Sequence, residues 1–380
     1  MQRTVTEPNL QTTGARIAHG LALAAVVFTW PLLMVGGFVS VYRLGMAVPD
    51  WPTTFGLNMF YYNLFEAPRG VFAEHAHRLY ASLVGLSCLV LVLYFSVTRL
   101  GLKGLGLWLA AALAALVAAV NPAVSQAGVS GFVAGLGTLG VMSAAVAVWA
   151  FLKRRDFALG LAWLALAAVV LQGAIGGSRV TQNSTTLAFL HGIFGQIVFA
   201  ILVTLWVATS ASWNATPHAV ADPANLRRRS NVTLLLIFAQ IAAGAHVRHF
   251  GSIAAVGFHI VLALAVAAHV VLLCVVIPRG TKFQGQGRLR SAACWMAVWT
   301  VAQLALGITA TLLLWPFDGV PRPVDGVQAL TRLAHQGVAA LLLASGTVLA
   351  LRCGRLLGAA EAPNRATATQ FSRALAEAGA

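Results

Sequence analysis

Ten apolar stretches run through this 380-residue chain, and most are close to the ~20 residues that a helix needs to cross a bilayer. Only 9% of the residues are charged and the mean hydropathy is +0.82, whereas a soluble domain has roughly 25% charged residues. Such a chain has too little polar surface to be a water-soluble globular enzyme. Because backbone groups in lipid must be satisfied within the segment, the spans are helices. The sequence therefore predicts an all-α, polytopic helical membrane protein.

The predicted spans are 17–40, 72–97, 104–122, 130–152, 157–176, 186–210, 231–248, 253–277, 291–315 and 330–352.

The net charge of +15 is a signal of membrane topology. With the N-terminus inside, 18 of the 25 basic residues lie on the inner side and seven on the outer side, while the ten acidic residues divide equally. This asymmetry follows the positive-inside rule. It predicts a multi-pass protein of the cell (inner or plasma) membrane with both termini cytoplasmic, and it implies no nucleic acid.

The loops and spans predict five regions. They are a cytoplasmic N-terminal segment (1–16), an N-terminal transmembrane half (17–210), a cytoplasmic linker (211–230), a C-terminal transmembrane half (231–355) and a polar, disordered tail (356–380). The long outer loops are 41–71 and 316–329.

An internal repeat is the most informative pattern. A Gln-x-x-x-Gly motif ends an outward-running span, and a histidine follows near the start of the next span. Repeated helix hairpins build pseudo-symmetric membrane folds around a buried site, so the repeat predicts two four-helix-bundle halves. The three copies are Gln172–Gly176 with His191, Gln240–Gly244 with His259, and Gln303–Gly307 with His335; a looser copy pairs Gly36-Gly37 with His77.

Four histidines are thus predicted at one depth in the membrane, which is costly unless they are paired or bind a ligand. They could form two bis-imidazole haem sites or a single metal site. A closed metal site usually includes thiolate or carboxylate ligands, and only one carboxylate is near, so haem fits better. The other histidines are interpreted as structural or solvated: His19, His218, His246, His249 and His269.

The second span opens with a carboxylate beside one of these histidines. Glu74 and His77 are three residues apart and share a helix face, whereas His75 points away. A carboxylate one turn from a haem ligand can act as a base or hold a substrate water. The alternative is an interfacial ion pair between Glu74 and Arg78, which would contribute little.

These motifs resemble the heme A synthase family. Glu74, His77 and Arg78 match its Glu-x-x-His-Arg motif, and the three later histidines match its single ligands on later helices. The outer-loop segment 43–52 contains the family's Pro-Asp-Trp-Pro core at 49–52. The resemblance covers about residues 20–355.

The resemblance implies an oxidoreductase that converts haem O into haem A by oxidising a methyl group to a formyl group, with water as the oxygen source. His77 and His191 would flank the substrate haem O, and His259 and His335 would ligate a resident haem B. Glu74 would be catalytic and Arg78 would help to bind the cofactor. Implied partners are haem O synthase and cytochrome oxidase, the eventual recipient of haem A; a homo-oligomer is left open.

Two departures from the family pattern stand out. Many members have cysteines in the first outer loop, whereas here Val48 precedes the Pro-Asp-Trp-Pro core and the loop has none. The chain also carries two spans beyond the family's eight, a surplus hairpin at about 104–152. An even insertion preserves the orientation of everything after it.

Two other classes of protein compete with this hypothesis. A bis-histidine cytochrome would carry electrons and would need no carboxylate beside a ligand, so Glu74 discriminates between the two. A proton-coupled transporter would need acidic residues at the membrane midplane, and the spans have essentially none there.

Overall fold

The computed structural model describes residues 10–120, 126–214, 220–222, 224–279, 285–314 and 324–358. Within these residues, ten helices are long and apolar enough to cross a membrane, which confirms the all-α polytopic prediction. The long helices are α1 (Leu10–Val41), α2 (Arg69–Leu100), α3 (Leu102–Val120), α4 (Gln126–Trp149), α5 (Phe157–Thr181), α6 (Thr185–Ala208), α8 (Leu226–Phe250), α9 (Ile253–Arg279), α10 (Gln286–Leu314) and α11 (Gly326–Leu356).

Most helices extend beyond their predicted spans because hydropathy detects only the apolar part of each. The start of α8 is an example, since this helix begins five residues before position 231. There the carboxylate of Asp222 accepts hydrogen bonds from the backbone N–H groups of Leu226 (2.7 Å) and Arg227 (3.0 Å). Such capping satisfies N–H groups that lack a partner within the helix.

Several short elements connect the spans. They are β1 (Thr53–Thr54) and β2 (Leu57–Asn58), which pair antiparallel, a 3-10 turn (Leu64–Glu66), a π turn (Ala150–Arg154), the short α7 (Ala211–Asn214), and β3 (Val220–Ala221) and β4 (Leu357–Gly358), which pair parallel. The β3–β4 pair joins the predicted linker to the residues that follow α11.

The helices pack around two main hydrophobic clusters. One lies among α1 to α6 and includes the fully buried Trp163 and Leu202. The other lies among α8 to α11 and includes Leu273 and Leu289. α3 and α4 pack on each other, on α2 and on α5, so the predicted surplus hairpin lies beside the first cluster.

Helix α11 joins the two groups of helices. It packs against α8 and α10 in its own group and against α1 and α6 in the other. The indole of Trp30 donates a hydrogen bond to the carbonyl of Gly337 (3.0 Å), and the Gln336 amide donates to the carbonyl of Leu33 (2.7 Å). α1 therefore contacts α11 directly at the level of His335.

Two predictions fall partly outside the described residues. The disordered tail at 356–380 is described only to residue 358, where α11 ends and β4 follows. The second outer loop is described only from residue 324.

Candidate functional site

The four repeat histidines lie at one end of the bundle, each early in its own helix. His77 is in the third turn of α2 and His191 in the second turn of α6, while His259 and His335 occupy similar positions in α9 and α11. At about 1.5 Å per residue, these positions are roughly 9–14 Å from the helix starts. The structure therefore places all four imidazoles at a similar depth.

The imidazoles form two pairs. The ring centroids of His77 and His191 are 6.4 Å apart with an interplanar angle of 82°. Those of His259 and His335 are 6.3 Å apart at 70°. A metal ion held between two facing imidazole nitrogens at about 2 Å each would separate the centroids by about 6.3 Å. The centroid spacing of each pair would therefore allow both imidazoles to bind one metal ion.

Each histidine ring lies directly against a glycine of the preceding outward-running helix. A Cβ added to Gly176 would lie 2.7 Å from Cε1 of His191, and one added to Gly244 would lie 3.0 Å from Cε1 of His259. The corresponding distances are 3.0 Å for Gly36 with His77 and 3.1 Å for Gly307 with His335. The repeat therefore requires glycine, because the imidazole occupies the space that any larger side chain at this position would fill.

The repeat glutamines also contact the histidines. The side-chain amide of Gln172 donates to the carbonyl of His191 (3.0 Å), and its nitrogen lies 3.3 Å from Nε2 of that ring. Gln240 repeats both distances with His259. The amide nitrogen of Gln303 is 3.1 Å from Nε2 of His335. The looser first copy has Leu32 at the glutamine position.

The Nδ1 nitrogen of the imidazole is buried without a hydrogen-bond partner in all four histidines. Nδ1 of His77, His191, His259 and His335 has no hydrogen-bond partner among the described residues. Leaving such a group unpaired costs ~1–3 kcal/mol. Its recurrence at four equivalent positions indicates a shared function rather than an isolated packing defect.

Replacing Gly176 with Ala should displace the His191 ring. The added methyl would lie 2.7 Å from Cε1, and such overpacking typically costs ~1–3 kcal/mol. The matched control is Gly173→Ala, one turn earlier in α5, where an added Cβ meets nothing within 4 Å. Thermal unfolding in detergent should show a lower midpoint for Gly176→Ala only. Equal midpoints for the two variants would contradict the contact.

The carboxylate of Glu74 is buried, with the residue 1% exposed. Its Oε2 accepts a hydrogen bond from the backbone N–H of Val48 (2.9 Å), and its Oε1 is 3.1 Å from Nη2 of Arg78. A second guanidinium, that of Arg179 in α5, approaches Oε1 at 3.8 Å. The pair with Arg78 therefore exists, but it is buried rather than interfacial, and breaking it would be far more costly than the sequence suggested.

Arg78 connects Glu74 to the first outer loop. Its guanidinium donates to the carbonyls of Val48 (2.8 Å), Asp50 (2.8 Å) and Thr53 (3.0 Å). These contacts fold the Pro-Asp-Trp-Pro segment over the start of α2. The structure thus uses Arg78, predicted to bind the cofactor, to hold the loop and the carboxylate.

The loop also carries its own internal supports. Burial raises the pKa of Asp50, but hydrogen bonds from Gly56, Thr53 and Phe55 outweigh it, and the pKa lies below its usual value. The indole of Trp51 packs on the backbone of Gly177, where an added Cβ would be 2.1 Å away. The four cysteines are free and lie in the helices. Hydrogen bonds and this aromatic contact therefore hold a loop that has no disulfide.

The surplus hairpin supports the same loop. The ring of Phe132 in α4 meets Trp51 edge-on, with centroids 4.7 Å apart. The side-chain amide of Asn58 in β2 donates to the carbonyl of Ala119 near the end of α3 (3.2 Å). Both ends of the hairpin that face the loop thus contact it, which gives α3 and α4 a structural function that the sequence did not reveal.

The remaining histidines lie outside the two pairs. His75 points to the loop, where Nδ1 lies 3.0 Å from the hydroxyl of Thr54. His19 contacts the carbonyl of Trp206 (3.1 Å), and His269 lies 3.4 Å from the hydroxyl of Thr233. His246 packs against Phe250. These contacts agree with the structural interpretation; His218 lies outside the described residues.

Two features near the histidines were missed by sequence reasoning. Arg179 follows Gly176 by three residues, a spacing that could have indicated a cation at the same end. Gln336 lies beside His335, and a Cβ on Gly37 would be 2.6 Å from its Oε1. Gly36 contacts His77, and its neighbour Gly37 contacts Gln336. Helix α1 therefore contacts one helix from each histidine pair.

No group of three or more histidine, cysteine or acidic side chains that could hold a metal ion occurs within the described parts of the chain. Comparisons with family models, curated proteins and solved structures find no match to this chain.

Proposed function

We propose that this protein is a membrane oxidoreductase of the heme A synthase type, which oxidises a methyl group of haem O to the formyl group of haem A for cytochrome oxidase. The observation that carries the proposal is a close pair of imidazoles, one of them on a helix that also carries a buried carboxylate. His77 and His191 provide the pair, and Glu74 lies one turn from His77 on α2.

The residues fit haem at both pairs. Two imidazoles whose centroids are 6.3–6.4 Å apart, with no carboxylate or thiolate between them, would be suitable ligands for a haem iron. His77 and His191 would hold the substrate haem O, and His259 and His335 a resident haem B. Bound haem supplies a redox-active iron and a porphyrin that stores oxidising equivalents.

The basic residues at this end suit the carboxylates of a porphyrin. Arg248, near the end of α8, donates to Oε1 of Gln336 (2.6 Å), next to His335. Arg332 precedes His335 by three residues and shares its helix face. Arg179 lies in the last turn of α5, beyond Gly176. Guanidinium groups pair well with carboxylates, so these residues would orient the propionates toward this end of the bundle.

Glu74 is the proposed base. Converting a methyl group to a formyl group with oxygen from water releases four protons and four electrons, the latter to an external acceptor. The Val48 N–H and the Arg78 guanidinium fix the orientation of the carboxylate. Each carboxylate oxygen has a further lone pair beside the contact it already makes, so Glu74 would take a proton from the substrate or from water beside it.

The repeated contacts also support two pseudo-symmetric four-helix halves. α1, α2, α5 and α6 would form one half and α8 to α11 the other, and each half would contain one histidine pair. The alternative function is a bis-histidine cytochrome. The two histidine pairs support the cytochrome as well as they support the enzyme. The buried Glu74 beside His77 favours the enzyme.

Pigment extraction from the purified protein tests the proposal. Protein made in cells that produce haem O should contain haem B together with haem O or haem A. Haem B alone, at two per chain and with no haem A formed in the cells, would support the cytochrome instead. Absence of any haem would contradict both.

The topology belongs to the same proposal, with the histidine end outside and both termini cytoplasmic. Thr53 is buried (5% exposed), whereas Phe65 in the same loop is 90% exposed. In a Cys294→Ser background, a cysteine replacing Phe65 should react with an impermeant thiol reagent in intact cells. A cysteine replacing the exposed Arg155, at the opposite end, should react only after lysis. The reverse labelling pattern would indicate the opposite orientation in the membrane.

A further inference from the structure

A cavity of about 730 Å³ lies at the end of the bundle opposite the histidine pairs. It is formed where α2 ends, α3 begins and α4 passes into its π turn. Arg99, Lys103, Arg154 and Trp149 line its rim. The volume is typical of sites for small molecules, which occupy ~300–1,000 Å³. The proposed haem chemistry makes no use of this region.

The rim carries an excess of positive charge. All the charged residues that line the cavity in the described part of the chain are basic. Arg99 approaches Oδ2 of Asp156 at 3.6 Å, but Oδ1 of that carboxylate accepts the backbone N–H of Leu159 (3.1 Å) and caps α5. One nearby carboxylate thus faces three cations, and this imbalance favours an anionic ligand.

The floor of the cavity is apolar and extends toward the membrane interior. Gly106 and Ala110 lie one turn apart on α3 and both line it. Ala110 is seven residues beyond Lys103, about 10 Å further along the helix axis. A Cβ added at Gly106 meets nothing within 4 Å. A basic rim that continues into an open apolar groove matches an amphiphile better than a small hydrophilic anion.

Local backbone geometry fixes the basic groups around the cavity. Gly101 turns the chain between α2 and α3 with φ of 59°, so that Arg99 and Lys103 flank one tight turn. Gly104 then passes so close to α2 that an added Cβ would be 1.9 Å from the carbonyl oxygen of Ser96. On the other side, the guanidinium of Arg154 lies 5.8 Å from the centre of the Trp149 ring. Tryptophan is typical of the membrane interface.

We propose that this cavity binds an anionic phospholipid. The phosphate would lie among Arg99, Lys103 and Arg154, and an acyl chain would follow the Gly106–Ala110 groove. Basic pockets between transmembrane helices are suited to anionic lipid headgroups. Helix α3 supplies Lys103 and the groove, and the π turn after α4 supplies Arg154. The α3–α4 hairpin would thus help to form a lipid site at one end, and it supports the outer loop at the other.

Native mass spectrometry of the purified protein in a neutral detergent tests the proposal. The probes are dioleoylphosphatidylglycerol, dioleoylphosphatidylcholine and inorganic phosphate. Phosphatidylglycerol should bind more tightly than phosphatidylcholine. The triple variant Arg99→Gln/Lys103→Gln/Arg154→Gln should weaken its binding by about 100-fold, since each basic group contributes about a factor of five. Lys153→Gln/Arg155→Gln is the control, because both residues are exposed and neither lines the cavity.

A second pair of variants tests the groove without removing charge. Gly106→Leu should fill it and weaken phosphatidylglycerol binding. Gly137→Leu, at an exposed position of α4 where an added Cβ also meets nothing within 4 Å, should not. Equal binding of the two phospholipids, or unchanged binding in both the triple variant and Gly106→Leu, would overturn the proposal. So would displacement of the lipid by equimolar inorganic phosphate together with no effect of Gly106→Leu, since that result identifies a site for free anions.

Discussion

Glu74→Gln is expected to stop the conversion of haem O into haem A while both haem sites stay filled. Glutamine has nearly the same shape as glutamate, and its side-chain oxygen can still accept the N–H of Val48. What is lost is a group able to accept a proton, and such groups contribute ~10²–10⁴-fold to a rate. The haem composition of cells expressing the variant should therefore shift from haem A to haem O.

The matched control is Glu66→Gln, which removes an exposed carboxylate from the same outer loop and should leave haem A production unchanged. The visible spectrum of the purified Glu74→Gln protein checks that haem is still bound. If Glu74 only stabilises the fold by pairing with Arg78 and Arg179, the variant will lose thermal stability and continue to make haem A. That combination would contradict the catalytic function of Glu74.

Replacing His259 or His335 with Ala should remove the resident haem B. The centroids of the two rings are 6.3 Å apart, and one imidazole cannot maintain the six-coordinate, low-spin state of a bis-histidine haem. Either variant should therefore lose the low-spin spectrum of one haem and about half of the extractable pigment. Haem bound at His77 and His191 should persist, because that pair lies in the other group of helices.

His269→Ala is the control for this experiment. His269 is on the same helix as His259, ten residues further along, and it contacts the hydroxyl of Thr233 rather than another imidazole. Its removal should leave the spectrum and the haem content unchanged. Full haem content in both His259→Ala and His335→Ala would contradict the ligand assignment, whatever the result for His269.

The number of helices could be predicted from sequence because lipid leaves few alternatives: a long apolar segment must be helical. The repeat was equally informative, since a Gln-x-x-x-Gly motif followed by a histidine early in the next span reports one local contact made three times. The burial of the Glu74–Arg78 pair was not predictable in this way. It depends on Val48 and on Arg179, which lie 26 residues before and 105 residues after Glu74.

The function of the surplus hairpin was also beyond sequence reasoning. Its apolar sequence predicts two spans but does not indicate which helices these spans pack against. The contacts of Phe132 with Trp51 and of Ala119 with Asn58 arise only from the packing of α3 and α4 on α2 and α5. Edge-to-face aromatic contacts and single amide–carbonyl bonds have no sequence periodicity from which they could be inferred.

The contact between each histidine ring and a glycine has a consequence for biogenesis. In all four cases, the glycine lies on the earlier helix of a histidine's hairpin or, for His77, on the helix just before it. A ribosome-bound chain inserts helices in order, so each ring can take up its orientation once two consecutive spans are in the bilayer. The partner ring of each pair arrives later, with α6 for His77 and with α11 for His259. The proposed haems would therefore enter between the rings only after the last helix of each group is in the bilayer, which is α6 for one pair and α11 for the other.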